Sequence, residues 1–182
     1  MRLCKGNSGV NNKTFTFSDF TSDNKSNNAR NILPAYANVR IKNKTLEGAM
    51  SEFRRTHIDS DHEWAYVVDS QGFVTKYVEG NKNSVYVRSN DRNSMILHNH
   101  PKGGAFSRRD MINIANSGAK GVVASGKKYD YIFQKGTHFR TEDFILAIID
   151  ARLKGKNYDD AVHKWLTDNQ RTYGYKYYRK KN

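Results

Sequence analysis

The stretch NSMILHNHPKGGAFSRRDMINIAN (residues 93–116) reads as a strand, a loop and a helix in succession. Met95, Ile96 and Leu97 form a short apolar run of the kind that fills a buried central strand. Pro101 stops it, because proline has no N–H to give to a ladder. Ser107 with Asp110 three residues on is a capping box, which starts a helix that runs to about Asn116 before Gly118 and Ala119. Strand side chains alternate, so His98 and His100 send their rings to the same side. Asp110 arrives on the first helical turn. Two imidazoles and one carboxylate suit Zn²⁺, which keeps a fourth position for water when it is catalytic. Singly, a His-x-His is an exposed or packed pair and Ser-x-x-Asp is only a cap. In this order, on these elements, the spacing predicts a metal centre of His98, His100 and Asp110 holding one Zn²⁺ per chain.

Outward from this stretch, EWAYVVD (63–69) and FVTKYVEG (73–80) are strands joined by a turn at SQG. Before them, VRIK (39–42) is a short strand. Thr45 then caps a helix to about His57, with Leu46, Ala49, Met50 and Phe53 on one face. The polar IDSDH leads to Glu63, at the head of its strand and the candidate general base. Glu79, beside Gly80 at a strand end, is the rival base. SVYVRS (84–89) reads as another strand, and GVVAS (121–125) and YDYIFQ (129–134) as a hairpin across GKK. Residues 141–170 carry two amphipathic helices, with stripes Phe144, Ile145, Ile148, Ile149 and Tyr158, Ala161, Val162, Trp165, Leu166. The order predicts an α/β (α+β) layered domain, a mixed β-sheet flanked by helices, with a core over 33–140 and a C-terminal helical pair. His57, His62, His138 and His163 lack matching partners and read as surface or packing residues.

A chain of 182 residues is sized for one domain. Residues 5–31, rich in Asn, Ser, Lys and Gly, cannot bury enough apolar surface to offset their ordering entropy. Residues 1–32 are therefore expected as a flexible arm, although FTFSDF (15–20) alternates weakly like a strand. Cys4 is the only cysteine, which excludes an internal disulfide. No apolar run approaches the ~20 residues of a membrane span, and the start lacks the apolar core of a signal peptide. A cytoplasmic protein without a membrane partner is the expectation.

The formal net charge of +13 attracts polyanions. Residues 171–182, RTYGYKYYRKKN, hold five basic residues, four tyrosines and no acid. This stretch reads either as a frayed soluble terminus or as a nucleic-acid-binding tail using Arg171, Lys176, Arg179, Lys180 and Lys181.

The pattern Glu63, then His98-x-His100-Pro101, then Ser107-x-x-Asp110 resembles the JAMM (MPN or JAB) metalloprotease family. HNHP resembles most the RadC-like branch, and the short loop resembles JAMM-like domains of phage structural proteins and bacterial toxin modules. The resemblance covers about residues 40–137. It implies a cytidine-deaminase-like core, zinc on His98, His100 and Asp110, water activation by Glu63, and an oxyanion steadied by Ser107. It implies a protein or peptide substrate, such as a ubiquitin-like conjugate. The alternative is a RadC-like nucleic-acid module, or a phage or toxin effector in which the fold serves binding. This chain departs from the family in having six residues between His100 and Ser107 where many members have seven, and Phe106 where proline is usual. A contiguous His98-Asn99-His100 is not the signature of HNH nucleases, which spread their residues over two strands and a helix. The glycine pair in PKGGAF (101–106) is expected either to make a tight turn or to admit a substrate backbone.

Overall fold

The structure is a computed structural model that describes residues 45–153 and 157–182, with the backbone of Val39–Arg40. The segment read as an arm, including FTFSDF, lies outside the described residues. One mixed sheet organises the chain, in the order β1-β3-β2-β4-β5-β6-β7. Its strands are β1 (Val39–Arg40), β2 (Trp64–Val68), β3 (Phe73–Glu79), β4 (Met95–Asn99), β5 (Gly121–Ser125), β6 (Tyr129–Lys135) and β7 (Tyr175–Lys181). Among the described strands only β4 and β5 run parallel, and every other pairing is antiparallel. The helix α2 (Arg108–Asn116) makes the crossover that a parallel pair requires.

Two cores lie on the two faces. On one, α1 (Leu46–His57) lays Ala49, Met50 and Phe53 on Tyr66, Leu97, Val123 and Ile132. Thr45 caps α1 by accepting the Gly48 N–H at 3.0 Å, a contact worth about 1 kcal/mol. Arg54 of α1 reaches Asp130 of β6 at 2.8 Å and the Gly126 carbonyl at 2.9 Å, so a buried carboxylate is neutralised across the layer. On the other face lie α2, α3 (Thr141–Asp150) and α4 (Tyr158–Asp168). They pack Met111, Ile114, Phe144, Ile148, Val162 and Leu166 against Ile96, Val122 and Phe133. The central β4 is buried on both sides, which accounts for its unbroken apolar run. Ile149, counted in the first stripe, stays exposed.

Two expectations are corrected. SVYVRS is not a strand: Asn81 and Ser84 make an isolated bridge and residues 85–90 have no ladder. Both sides of β2 and β4 are already paired, and this segment forms no ladder on the outer edge of β3 either. It is held instead by Lys76 Nζ on the Arg88 carbonyl and by a Ser89–Ser117 exchange. Residues 171–182 are not a loose tail. They pass through the short α5 (Gln170–Tyr173) into β7, which pairs along β6 from Tyr129↔Lys181 to Lys135↔Tyr175. Tyr175 and Tyr177 are buried on the α4 face, while Lys176, Tyr178 and Lys180 point to the other.

Candidate metal centre

His98 lies near the C-terminal end of β4 and His100 just beyond it, where Pro101 has ended the ladder. Alternation along β4 turns His98 to the α2 side, together with Ile96. The Ser107 cap fixes where Asp110 enters: Ser107 Oγ accepts the Asp110 N–H at 3.1 Å, and Asp110 Oδ2 accepts the Ser107 N–H at 2.7 Å. The two imidazole Nε2 atoms are 2.8 Å apart. Asp110 Oδ2 stands 3.5 Å from His100 Nε2 and 3.9 Å from His98 Nε2. Three tetrahedral ligands around one ion stand about 3.3 Å apart, so these spacings bracket what a single ion requires. This largely buried group of His98, His100 and Asp110 can hold a metal ion.

The atoms next to the ligands fix their orientation. His100 Nδ1 donates to the Gly104 carbonyl at 3.2 Å, which turns its Nε2 lone pair toward the site. Gly103 and Gly104 have φ of 72° and 110°, so the short loop needs both glycines to bring that carbonyl round. A Cβ on Gly104 would lie 3.1 Å from the Asp159 carboxylate, which itself accepts the Ala105 N–H. Tight turning is thus sufficient reason for the glycine pair. Phe106 is fully buried, with its ring 6.3 Å from those of His98 and Tyr131, so it walls the site where proline was usual in the resemblance.

Electrostatics favour a cation. Burial pushes the His98 imidazole down to about 4, leaving it a neutral ligand. Burial also works to lower His100, but the Asp110 hydrogen bond and the charges of Asp110 and Glu63 outweigh it and raise its pKa. Burial opposes ionisation of Asp110, yet hydrogen bonds from His100 and Ser107 and the charges of both histidines hold it well below the carboxylate range.

Glu63 immediately precedes β2 and lines the same cleft of about 280 Å³ as His100, Ser107 and Asp110. Burial raises its pKa and Asp110 adds to this, while His100 and the Val85 N–H pull the other way. Val85, in the segment that failed to become a strand, is therefore a backbone partner of the candidate base. Ser107 Oγ also sits 2.7 Å from Asp110 Oδ2 at the cleft rim. The rival Glu79 faces elsewhere, engaging His62 at 3.1 Å. His57 is a packing residue, stacked on Trp64 and bonded to the Tyr66 hydroxyl; His163 meets the Tyr177 hydroxyl, and His138 is exposed.

Asn99 had no role in the sequence reading. Fully buried between the two histidines, it donates to the carbonyls of His57 and His62 and accepts the Trp64 N–H. The carbonyl and N–H that flank Glu63 are thus clamped to β4, the strand that carries His98. Its only sequence signal was a polar residue inside an otherwise buried strand end.

The five basic residues do not form one surface. Lys176 and Lys180 lie on one face of β7, Arg179 and Lys181 on the other, and Arg171 is on α5. Arg179 is engaged, 4.4 Å over the Tyr129 ring and 3.6 Å from Asp160. Among the described residues no helix is long and apolar enough to cross a membrane. Neither family models, curated proteins nor solved structures match this chain.

Proposed function

We propose that this chain is a zinc metallopeptidase of the JAMM type, with a cytidine-deaminase-like core, that hydrolyses an amide or isopeptide bond in a protein or peptide. The observation that carries the reading is a set of three convergent ligand atoms, on His98, His100 and Asp110, of which His100 and Asp110 line one cleft with a separately held carboxylate, Glu63. His98, His100 and Asp110 would hold the ion, and three protein ligands leave room for a fourth. Bound zinc supplies Lewis acidity, acidifying water to a pKa of about 7 and polarising a carbonyl. Glu63 then takes the proton of the attacking water and passes it to the leaving amine. Its raised pKa suits both halves of that transfer. Ser107 would turn its one hydroxyl proton from Asp110 Oδ2 to the developing oxyanion, a contact worth about 3 kcal/mol in comparable sites.

The test is Glu63→Gln, assayed on zinc-loaded full chain with fluorogenic peptide amides and lysine-linked isopeptides. The amide is nearly isosteric and cannot act as a base. Native protein is expected to cleave, and the variant to keep its metal and lose at least about 100-fold in kcat. Near-normal turnover by Glu63→Gln would place the base elsewhere. Failure of native protein to bind metal at micromolar concentration would overturn the whole reading.

A further inference from the structure

Beyond the loop Pro101–Gly104, on the side away from Glu63, lies a second cavity of about 560 Å³. It shares Pro101, Lys102, Gly103, Gly104, Tyr158 and Asp159 with the cleft of the metal centre, so the two form one groove. At their junction the space over Gly103 is open, since a Cβ there would meet nothing within 4 Å. The second cavity is of the size that takes a ligand of several residues or rings.

Its charge is lopsided. Lys82, Lys102 and Arg109 line the cleft, and Lys127, Lys128 and Arg179 the far cavity. Apart from Glu63 and Asp110, the acids lining the groove are Asp159 and Asp160. Asp159 is committed to the Ala105 N–H at 2.9 Å. Asp160 is largely exposed beside Arg179. Lys127 meets Asp59 in an exposed pair at 3.1 Å, a contact that leaves the lysine available to a stronger partner.

We propose that this groove binds an acidic, extended polypeptide, with its anionic residues in the far cavity and its backbone crossing Gly103 toward the metal centre. The proposal takes its chemistry from the peptidase reading, but binding can be measured without it. A nucleic acid fits these walls less well, because two of the three rings that line the far cavity are withdrawn as platforms for a base: the Arg179 guanidinium lies over the Tyr129 ring and Tyr131 is buried.

The experiment is fluorescence anisotropy on the full chain with labelled decaglutamate, a Gly/Ser peptide of equal length, and decathymidylate. Two charge-matched double variants are compared. Lys127→Glu/Lys128→Glu lies in the groove, and Lys176→Glu/Lys180→Glu lies on the opposite face of β7. Decaglutamate should bind best of the three probes. The groove pair should weaken it about tenfold and the control pair by less than about twofold. Equal losses in both pairs would mean attraction to net charge alone and would overturn the proposal. So would the absence of decaglutamate binding, or tighter binding of decathymidylate lost in the groove pair. A chain that lacks metal would refute the peptidase reading and leave the anisotropy result standing.

Discussion

Asn99 Oδ1 accepts the backbone N–H of Trp64 at 2.6 Å, so the strand that carries His98 and leads into His100 also grips the residue next to Glu63. One buried side chain thus ties the backbone on either side of Glu63 to the strand that ends at the two histidines. Asn99→Ala would leave the His57 and His62 carbonyls and the Trp64 N–H without this partner, at about 1–3 kcal/mol for a buried group. We expect a lower melting temperature with metal retained at one ion per chain. We expect kcat to fall about 100-fold with KM little changed, because a base displaced by about 1 Å loses its line to the water. A variant that loses stability but keeps kcat would make Asn99 a purely structural residue.

Elemental analysis of native protein, purified without chelator, should find one transition-metal ion per chain. His98→Ala and Asp110→Ala should reduce that content sharply. Ser107→Ala should leave it nearly unchanged, since Ser107 supports Asp110 without supplying a ligand atom. Chelator should lower the melting temperature of native protein, because an ion bound at 100 times its Kd adds about 2.7 kcal/mol. His98→Ala should melt the same with or without chelator.

Truncation before Tyr173 should destabilise the whole domain. It removes β7, and with it Tyr175 and Tyr177, both about 95% buried against Phe133, α4 and neighbouring rings. Deleting a buried aromatic side chain costs about 3–5 kcal/mol, so losing two exceeds the margin of most single domains. Thermal unfolding followed by circular dichroism should show no cooperative transition at room temperature or above. Lys176→Glu/Lys180→Glu, on the solvent face, should melt within a few degrees of native protein.

His57 should make stability rise with pH across the acid range. Burial among Phe53, Trp64, Tyr66 and Tyr77 pushes its pKa down to about 3, whereas in the unfolded chain it titrates near 6.5. Between these values the unfolded state binds the extra proton. Its stability contribution is therefore complete above about pH 6.5 and is lost progressively as pH falls toward 3, by up to about 1.4 kcal/mol per pH unit. Urea unfolding at several pH values should show this slope in native protein. His57→Gln keeps a hydrogen-bonding group and cannot titrate, so its slope should be shallower by one proton. An unchanged slope would assign the dependence to other groups.

Much of the candidate metal centre could be read along the chain because its causes are local. Alternation on a strand aligns His98 with His100, a proline ends the strand, and a capping box sets Asp110 on its turn within fourteen residues from Leu97 to Asp110. The Thr45 cap and the apolar face of α1 were legible for the same reason. Each depends on neighbours within a turn or two.

SVYVRS and the C-terminal stretch were not legible in this way. Both carry β-forming residues, and a strand exists only where a sheet edge is free to receive it. Tyr175 and Tyr177 with Lys176 between them already have the period of two, yet so does the start of SVYVRS. The free side of β6 took up the first, while the second makes only the isolated Asn81–Ser84 bridge, lines the cleft and offers the Val85 N–H to Glu63. Asn99 is the same case at one residue. Its letter shows a buried amide, but its three partners come from a helix end, a turn and a neighbouring strand up to 42 positions away. The chain's local periodicities set which atoms could bind a metal. The closing of long loops onto a limited number of sheet edges set what holds Glu63 beside them.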